Sequence, residues 1–182
     1  MSFDKLRSLV LCSLLAGLMA AGAYIYVPIG PVPVVLTSLF VLLSGLLLGA
    51  RYGAVAAALY LVLGAMGLPV FSGGRGGLAH FLGPTGGYLF GYVLSAWATG
   101  FIAGRLRQSL AGKVLAVLIG SLSIYALGLP WLKGVTQMTW NKAWMAGMIP
   151  FLPGDILKAA AAILLSRSLK PILDRQRPSV SF

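Results

Sequence analysis

The chain has 182 residues, of which 59% are hydrophobic and 9% are charged, and its formal net charge is +11. A soluble domain is about a quarter charged, so this composition excludes an ordinary soluble protein and predicts an all-helical integral membrane protein with one compact domain. The basic residues lie between apolar runs without interleaved aromatic residues. That pattern is typical of loops beside anionic lipid and argues against nucleic-acid binding.

Six apolar segments follow one another along the chain and predict six transmembrane helices. They cover residues 8–27, 34–49, 52–66, 84–104, 114–129 and 154–170. The first segment is longer than the roughly 7–15 apolar residues of a signal peptide, so we expect a retained helix and not a cleaved leader. Within it, Ala16 and Ala20 have the four-residue spacing that lets helix backbones approach closely.

The loop at residues 67–83 is rich in glycine yet also carries apolar side chains such as Val70 and Phe71. A solvated linker would lack such side chains. Irregular backbone at membrane depth must be buried in protein or line a cavity. We therefore expect this loop to fold back over the membrane edge as a lid, the alternative being a mobile external loop.

Cationic residues are distributed unevenly between the two predicted sides of the membrane. The side that holds both termini carries Lys5, Arg7, Arg51, Arg105, Arg107, Lys113, Arg167, Lys170, Arg175 and Arg177, and the other side carries Arg75, Lys133 and Lys142. The positive-inside rule then predicts that both termini are cytoplasmic. The 67–83 loop and the starts of helices 84–104 and 154–170 would face outward together.

Asp155 stands at the start of the last helix, three residues before Lys158, while Asp4 and Asp174 lie in charged terminal segments. A spacing of three places both side chains on one helix face. Ionisable residues at the edge of the hydrocarbon are costly, so the pair indicates a functional site. The structural alternative is that Asp155 caps its helix while Lys158 extends to the lipid headgroups.

The pair offers hydrogen-bond acceptors beside donors, which suits a cyclic urea or amide ligand. Two helix N-termini facing the same place would add partial positive charge. The start of helix 84–104 contributes Thr85, Gly87 and Tyr88 as further candidate contacts, and the glycine-rich loop contributes His80. Tyr88 is equally explained as an interfacial anchor, and His80 as a hydrogen-bond partner within its loop.

Enzymatic chemistry is not predicted. The phosphate-binding pattern Gly-x-x-x-x-Gly-Lys-[Ser/Thr] does not occur in the sequence. A single His and a single Cys leave too few ligands for a usual zinc site, and no spacing supports a nucleophile–His–acid set. We therefore expect a ligand-binding membrane protein without a metal or cofactor.

Three groups of motifs lie along the chain. They are Gly30-Pro31-Val32-Pro33-Val34 with Leu39-Phe40-Val41-Leu42-Leu43-Ser44-Gly45, then Gly67-Leu68-Pro69-Val70-Phe71 with Gly83-Pro84-Thr85-Gly86-Gly87-Tyr88, and last Pro150-Phe151-Leu152-Pro153-Gly154-Asp155-Ile156-Leu157-Lys158. Together they resemble the BioY family, the biotin-specific S components of energy-coupling-factor (ECF) transporters.

The resemblance implies a six-helix bundle that captures biotin at the outer face of a prokaryotic plasma membrane, with Asp155 and Lys158 at the ureido ring. It implies delivery of biotin inward with a coupling transmembrane subunit and two ATPase subunits. It also implies that Ala16 and Ala20 form the docking face for the coupling subunit, the alternative being packing inside the bundle. Thr37 stands where many relatives carry a glutamine, which removes an amide from the second helix.

Other functions stay open at this point. The chain could be an S component for another vitamin, a stand-alone secondary transporter or a small intramembrane enzyme, although no second buried carboxylate is visible to carry a coupling proton. The biotin carboxylate also has several candidate partners, namely Arg75, a lysine of the tryptophan-bearing segment (Lys133 or Lys142) and bulk water.

Overall fold

The computed structural model describes the backbone of residues 3–175 and the side chains of residues 5–173. In chain order, the helices are α1 (Phe3–Tyr24), α2 (Thr37–Ala65), α3 (Ala79–Leu82), α4 (Gly86–Arg105), α5 (Leu110–Thr136), α6 (Trp140–Gly147) and α7 (Leu152–Arg175). Two short strands, β1 (Tyr26–Val27) and β2 (Val34–Val35), pair antiparallel between α1 and α2. The side chains of Asp4, Asp174, Arg175 and Arg177 lie outside the described part.

α2 changes direction sharply at Gly49, whose φ of 78° and ψ of −178° leave the helical region. Glycine adopts a positive φ without the steric cost of a side chain. A Cβ atom on Gly53 would lie 2.9 Å from the Cα atom of Gly45, whereas the same two residues in one continuous helix would be about 12 Å apart. α2 therefore consists of two halves, 37–48 and 50–65, that fold back on each other.

The predicted all-helical bundle is confirmed. The six predicted segments correspond to α1, the two halves of α2, α4, α5 and α7, with shifted ends. α3, α6 and the two strands are short additions that the sequence did not predict, because none of them has enough residues to show a clear apolar period.

The largest shift is in α5, which was predicted to end at residue 129, just before a proline that lacks an N–H donor. Pro130 instead lies inside the helix, which runs on to Thr136. Membrane helices tolerate an internal proline when nearby groups satisfy the freed backbone atoms. The proline leaves the carbonyl of Ala126 without its helical donor. The hydroxyl of Thr136 separately supports the final turn by donating to the carbonyl of Leu132 at 2.6 Å.

By length and composition, four stretches are long and apolar enough to cross a membrane, namely Lys5–Tyr24, Thr37–Ala65, which includes both halves of α2, Leu110–Thr136, and Trp140–Leu173, which includes α6 and most of α7. Large apolar side chains such as Leu14, Leu118 and Leu164 are more than half exposed on their outer faces. Such a surface is unfavourable in water and suits contact with lipid. The fold is thus that of a multi-pass membrane protein, with α4 packed between α2 and α5.

Candidate ligand-binding site

Asp155 and Lys158 form an ion pair at the start of α7, with 2.6 Å between Oδ1 and Nζ. The ammonium of Lys158 also donates to the hydroxyl of Ser38 at 2.9 Å and to the carbonyl of Val35 at 3.3 Å. The other carboxylate oxygen of Asp155 accepts a hydrogen bond from the hydroxyl of Tyr125. The pair therefore joins α7 to the start of α2 and to the middle of α5.

These contacts differ from those expected if Asp155 only capped its helix and Lys158 extended to the lipid headgroups. Lys158 is only 8% exposed, so its ammonium does not extend to the headgroups. Asp155 has Lys158 and Tyr125 as its side-chain partners in the described part of the chain, with no bond to the backbone N–H groups that begin α7. A buried ion pair is favourable only when its other donors and acceptors are satisfied, and the bonds to Ser38 and Val35 meet this condition for the ammonium.

Hydrogen-bonding capacity remains at Asp155. A carboxylate offers about four acceptor directions, and an ammonium three donors. All three donors of Lys158 have acceptors here, while each oxygen of Asp155 accepts one recorded bond. A ligand N–H group can therefore bind Asp155 directly, whereas a ligand carbonyl has to share or replace a partner of Lys158.

Three adjoining cavities lead away from the pair. The inner cavity, about 40 Å³, is bounded by the ion pair and by Tyr88, Tyr92, Tyr125 and Phe151. The middle cavity, about 30 Å³, shares Tyr88 and Tyr92 with it and reaches His80 and Thr85. The outer cavity, about 280 Å³, shares His80 and Thr85 with the middle one and extends to Arg75. We call the end of the bundle that holds them the cavity end.

Tyr88 forms part of the wall between the inner and middle cavities. Its hydroxyl donates to the carbonyl of Gly147 at 2.8 Å, which ties α4 to α6. Its ring meets that of Tyr125 edge to face, with 6.3 Å between the centroids. Because the hydroxyl is already bonded, Tyr88 presents mainly its aromatic surface to a ligand.

The glycine-rich loop is anchored by Phe71, which is 1% exposed. Its ring packs edge to face on Tyr60 and is stacked on the imidazole of His80. A Cβ atom on Gly64 would lie 2.1 Å from the Phe71 ring, so the second half of α2 accepts this ring only because it has glycine there. The loop thus folds over the bundle and borders the middle and outer cavities.

His80 lies on α3 at the edge of the cavities. Its imidazole is partly buried, and this burial, followed by the positive charge of Arg75, lowers the pKa of His80 below its ordinary value. The neutral imidazole can then donate one hydrogen bond and accept another at the rim between the middle and outer cavities.

Gly87 does not line these three cavities. A Cβ atom at this position would lie 2.3 Å from the Cβ atom of Trp131 and 2.5 Å from the carbonyl oxygen of Leu127. Gly87 therefore lets α4 approach α5 closely. The indole N–H of Trp131 donates to the carbonyl of Gly83 at 3.0 Å, which fixes the turn before α4.

A family model described as the BioY family matches residues 1–175. The chain belongs to the BioY family. Its relatives include the "Biotin transporter BioY" of Rhizobium etli, which is 42% identical over 174 residues, with 90% of this chain and 92% of that protein covered. The "Biotin transporter BioY" of Thermotoga maritima is 40% identical, with 92% of this chain and 98% of that protein covered.

The fold agrees with this membership. A crystal structure of the S-component for biotin from an ECF-type ABC transporter superposes with a TM-score of 0.87 and 29% sequence identity. The match covers 94% of this chain and 95% of that chain. The BioY chain therefore has the S-component fold.

The polar partners of the BioY ion pair were not predicted from the sequence. Ser38 follows Thr37, and the prediction considered only Thr37, whose hydroxyl donates to the carbonyl of Met19 in α1 at 3.1 Å. Tyr125 lies within a long apolar run. A polar ring in such a run was an available signal, because a buried tyrosine hydroxyl usually has a hydrogen-bond partner.

Ala16 and Ala20 lie on the side of α1 that packs on the bundle. Ala16 is 1% exposed, and Ala20 is partly buried against the core. The exposed small residues of α1 are instead Ser13, Gly17 and Ala21, which follow one another at four-residue spacing. In the isolated chain, the Ala16–Ala20 face is thus covered by its own helices.

Proposed function

We propose that this BioY chain is a high-affinity biotin-binding S component of an ECF-type uptake transporter, and that it is not an enzyme. The observation that carries the proposal is the enclosed Asp155–Lys158 pair at the inner end of three adjoining cavities. The names of the relatives and of the solved S-component support biotin as the ligand.

The ureido ring of biotin carries two N–H groups beside a carbonyl. In the proposed complex, an N–H group donates to the free acceptor positions of Asp155, and the carbonyl accepts from Lys158, which gives up part of its bonding to Val35. The apolar thioether ring then lies among the aromatic side chains of Tyr88 and Tyr92. Each charge-assisted hydrogen bond of this kind contributes about 1.5–3 kcal/mol.

The valerate chain of biotin extends through the middle cavity past Thr85 and His80 in this proposal. Its carboxylate reaches the outer cavity, where Arg75 is a lining residue. Among the candidates that the sequence left open, Arg75 is favoured because Lys133 is 5.2 Å above the ring of Trp140 and lines none of the three cavities.

Binding requires the cavity end to open. The inner and middle cavities are far smaller than the roughly 300 Å³ at which small-molecule pockets begin. The 67–83 loop is the element that can move to enlarge them, since it forms one side of the middle and outer cavities. We propose that this loop is a lid on the extracellular side of a prokaryotic plasma membrane, with both termini cytoplasmic as the charge distribution indicates.

Transport in the proposed complex is driven by ATP hydrolysis, for which the sequence of this chain has no phosphate-binding motif. A coupling transmembrane subunit and two ATPase subunits supply that energy. α1 remains the proposed docking helix. Docking on Ala16 and Ala20 requires that face to be uncovered, whereas the neighbouring Gly17 face is already open, with no atom within 4 Å of a Cβ placed there.

Calorimetric titration of the purified chain in detergent tests the ligand. Biotin is expected to bind tightly with a stoichiometry of one and to be recovered unchanged, while thiamine and riboflavin give no binding heat. Heat with another vitamin but none with biotin would contradict the assignment. Covalent change of the bound biotin, seen by mass spectrometry, would indicate an enzyme.

Uptake into proteoliposomes tests the partners. The proposal expects ATP-dependent accumulation of biotin only when the coupling and ATPase subunits are present. Uptake by the chain alone, driven by an ion gradient, would instead support a stand-alone secondary transporter.

A further inference from the structure

Three cations from two helices come together at the end of the bundle away from the cavities. They are Lys113 in the first turn of α5 and Arg167 and Lys170 near the end of α7, and we call this end the basic end. Lys170 lies about 18 Å along α7 from Lys158. Lys113 is only 6% exposed, and the charges of Lys170 and Arg167 are close enough to act on it electrostatically.

The described part of the chain offers these cations little compensation. Lys170 donates to the carbonyl of Leu47, near the end of the first half of α2, at 3.1 Å. Lys113 and Arg167 have no hydrogen-bond acceptor among the described residues. Asp155 is the acidic residue whose side chain is described, and its carboxylate is paired with Lys158 at the cavity end. The nitrogen of Lys113 is not among the described buried atoms that lack a partner, so its charge is accessible to an anion. Binding of an anion would relieve the repulsion among the three like charges.

The start of α5 strengthens the positive potential. The hydroxyl of Ser109 caps this helix by accepting the N–H of Gly112 at 3.1 Å. The partial positive charge of a helix N-terminus favours anions and disfavours cations. Lys113 nevertheless lies within this first turn, where its charge does not stabilise the helix, and an anion bound there would compensate both the ammonium and the helix start.

The surroundings of the cations indicate a lipid. Leu110 and Val114 on α5, and Leu169 and Ile172 on α7, are between 39% and 55% exposed. A free phosphate ion would leave these apolar faces unoccupied. The acyl chains of a phospholipid can cover them while its headgroup meets the cations, as in other basic pockets between transmembrane helices.

We propose that Lys113, Arg167 and Lys170 bind the phosphate of an anionic phospholipid in the leaflet at the basic end. The guanidinium of Arg167 can bind two phosphate oxygens at once, and the ammonium of Lys113 contributes a second cation beside it. The bound phosphate replaces repulsion among the three cations with attraction. It thereby links the start of α5 to the end of α7.

Lipid binding by the purified full-length chain in a neutral detergent tests this site. Native mass spectrometry and thermal unfolding are measured during titration with phosphatidylglycerol or with zwitterionic phosphatidylcholine. Phosphatidylglycerol is expected to bind more tightly and to raise the unfolding temperature. Arg167→Gln is expected to weaken this binding about fivefold, and Lys113→Gln about tenfold, because one cation near a lipid surface contributes a factor of this order.

Lys133→Gln is the matched control, since it removes a cation at the far end of the same helix, about 30 Å away. It is expected to change phosphatidylglycerol binding by less than about twofold. Equal binding of the two lipids, or unchanged binding by Arg167→Gln, would overturn the site. Arg167 is exposed, so this variant does not depend on how the fold tolerates a change at Lys113.

Inorganic phosphate forms a separate arm of the experiment. Protection of the chain by inorganic phosphate and not by phosphatidylglycerol would overturn the lipid assignment in favour of a free anion. Protection by neither would also overturn it.

Discussion

The two ends of the bundle each bury a lysine, but they compensate its charge differently. At the cavity end, Lys158 has a carboxylate, a hydroxyl and a backbone carbonyl within hydrogen-bond distance. At the basic end, Lys113 has two like charges nearby and no acceptor in the described part of the chain. The two lysine side chains are buried to a similar degree but have different hydrogen-bond partners. Lys158 belongs to an internal network, whereas Lys113 has no acceptor among the described residues, and in our proposal a lipid phosphate binds it.

The largest expected difference between the two ends is in stability. Lys158→Met leaves Asp155 partly buried without its cation, so it is expected to lower the free energy of unfolding by about 3 kcal/mol. Lys113→Met removes an uncompensated cation and is expected to be neutral or stabilising in detergent without anionic lipid. Denaturant unfolding of both variants measures this. Similar losses of stability in the two would show that the lysines have equivalent environments.

The second expected difference between the two ends is in the affinity for biotin. Asp155→Asn is expected to weaken biotin binding about 100-fold, because a charge-assisted hydrogen bond to the ligand is lost. The double variant Asp155→Asn/Lys158→Met removes the unpaired cation and is expected to regain stability without regaining affinity. Calorimetry and thermal unfolding measured together distinguish the two effects. Normal affinity in the double variant would make the pair purely structural.

The sequence was sufficient for the bundle and for the central pair. Long apolar runs broken by glycine and proline predicted the six segments, and the break at Gly49 is at the last residue of the predicted segment 34–49. Asp155 and Lys158 were recognisable because charge is rare inside apolar runs and their spacing places both on one helix face. Local sequence therefore identified the features that depend on one helix at a time.

Contacts between helices could not be predicted in the same way. Ser38 and Tyr125 reach the ion pair from α2 and α5, at positions that only the packed bundle defines. Gly87 was assigned to the ligand because it lies in a helix start, yet the structure has it against Trp131. Small residues at a helix start serve packing and binding equally well, so their spacing does not separate the two roles.

Tyr125 provides a finer test of the cavity end. Tyr125→Phe removes the hydrogen bond to Asp155 and is expected to weaken biotin binding about tenfold. Tyr92→Phe is the matched control, because Tyr92 lines the same inner cavity and its hydroxyl has no hydrogen bond recorded among the described residues. It is expected to change the affinity by less than about twofold. Equal losses in the two variants, measured by calorimetry, would remove Tyr125 from the binding network.

The smallest expected effect concerns His80 at the rim of the cavities. Burial and the charge of Arg75 lower the pKa of His80 in the folded chain, so its neutral form is favoured there relative to the unfolded chain. Above about pH 6.5 the imidazole is neutral in both states and makes no pH-dependent contribution. As the pH falls below that value, the unfolded chain binds the proton first, and the folded chain loses stability.

His80→Gln is expected to reduce the fall in unfolding temperature between about pH 7 and pH 5. Arg75→Gln should reduce it by a smaller amount, because burial is the larger cause of the shift, and identical pH profiles for all three proteins would contradict this account.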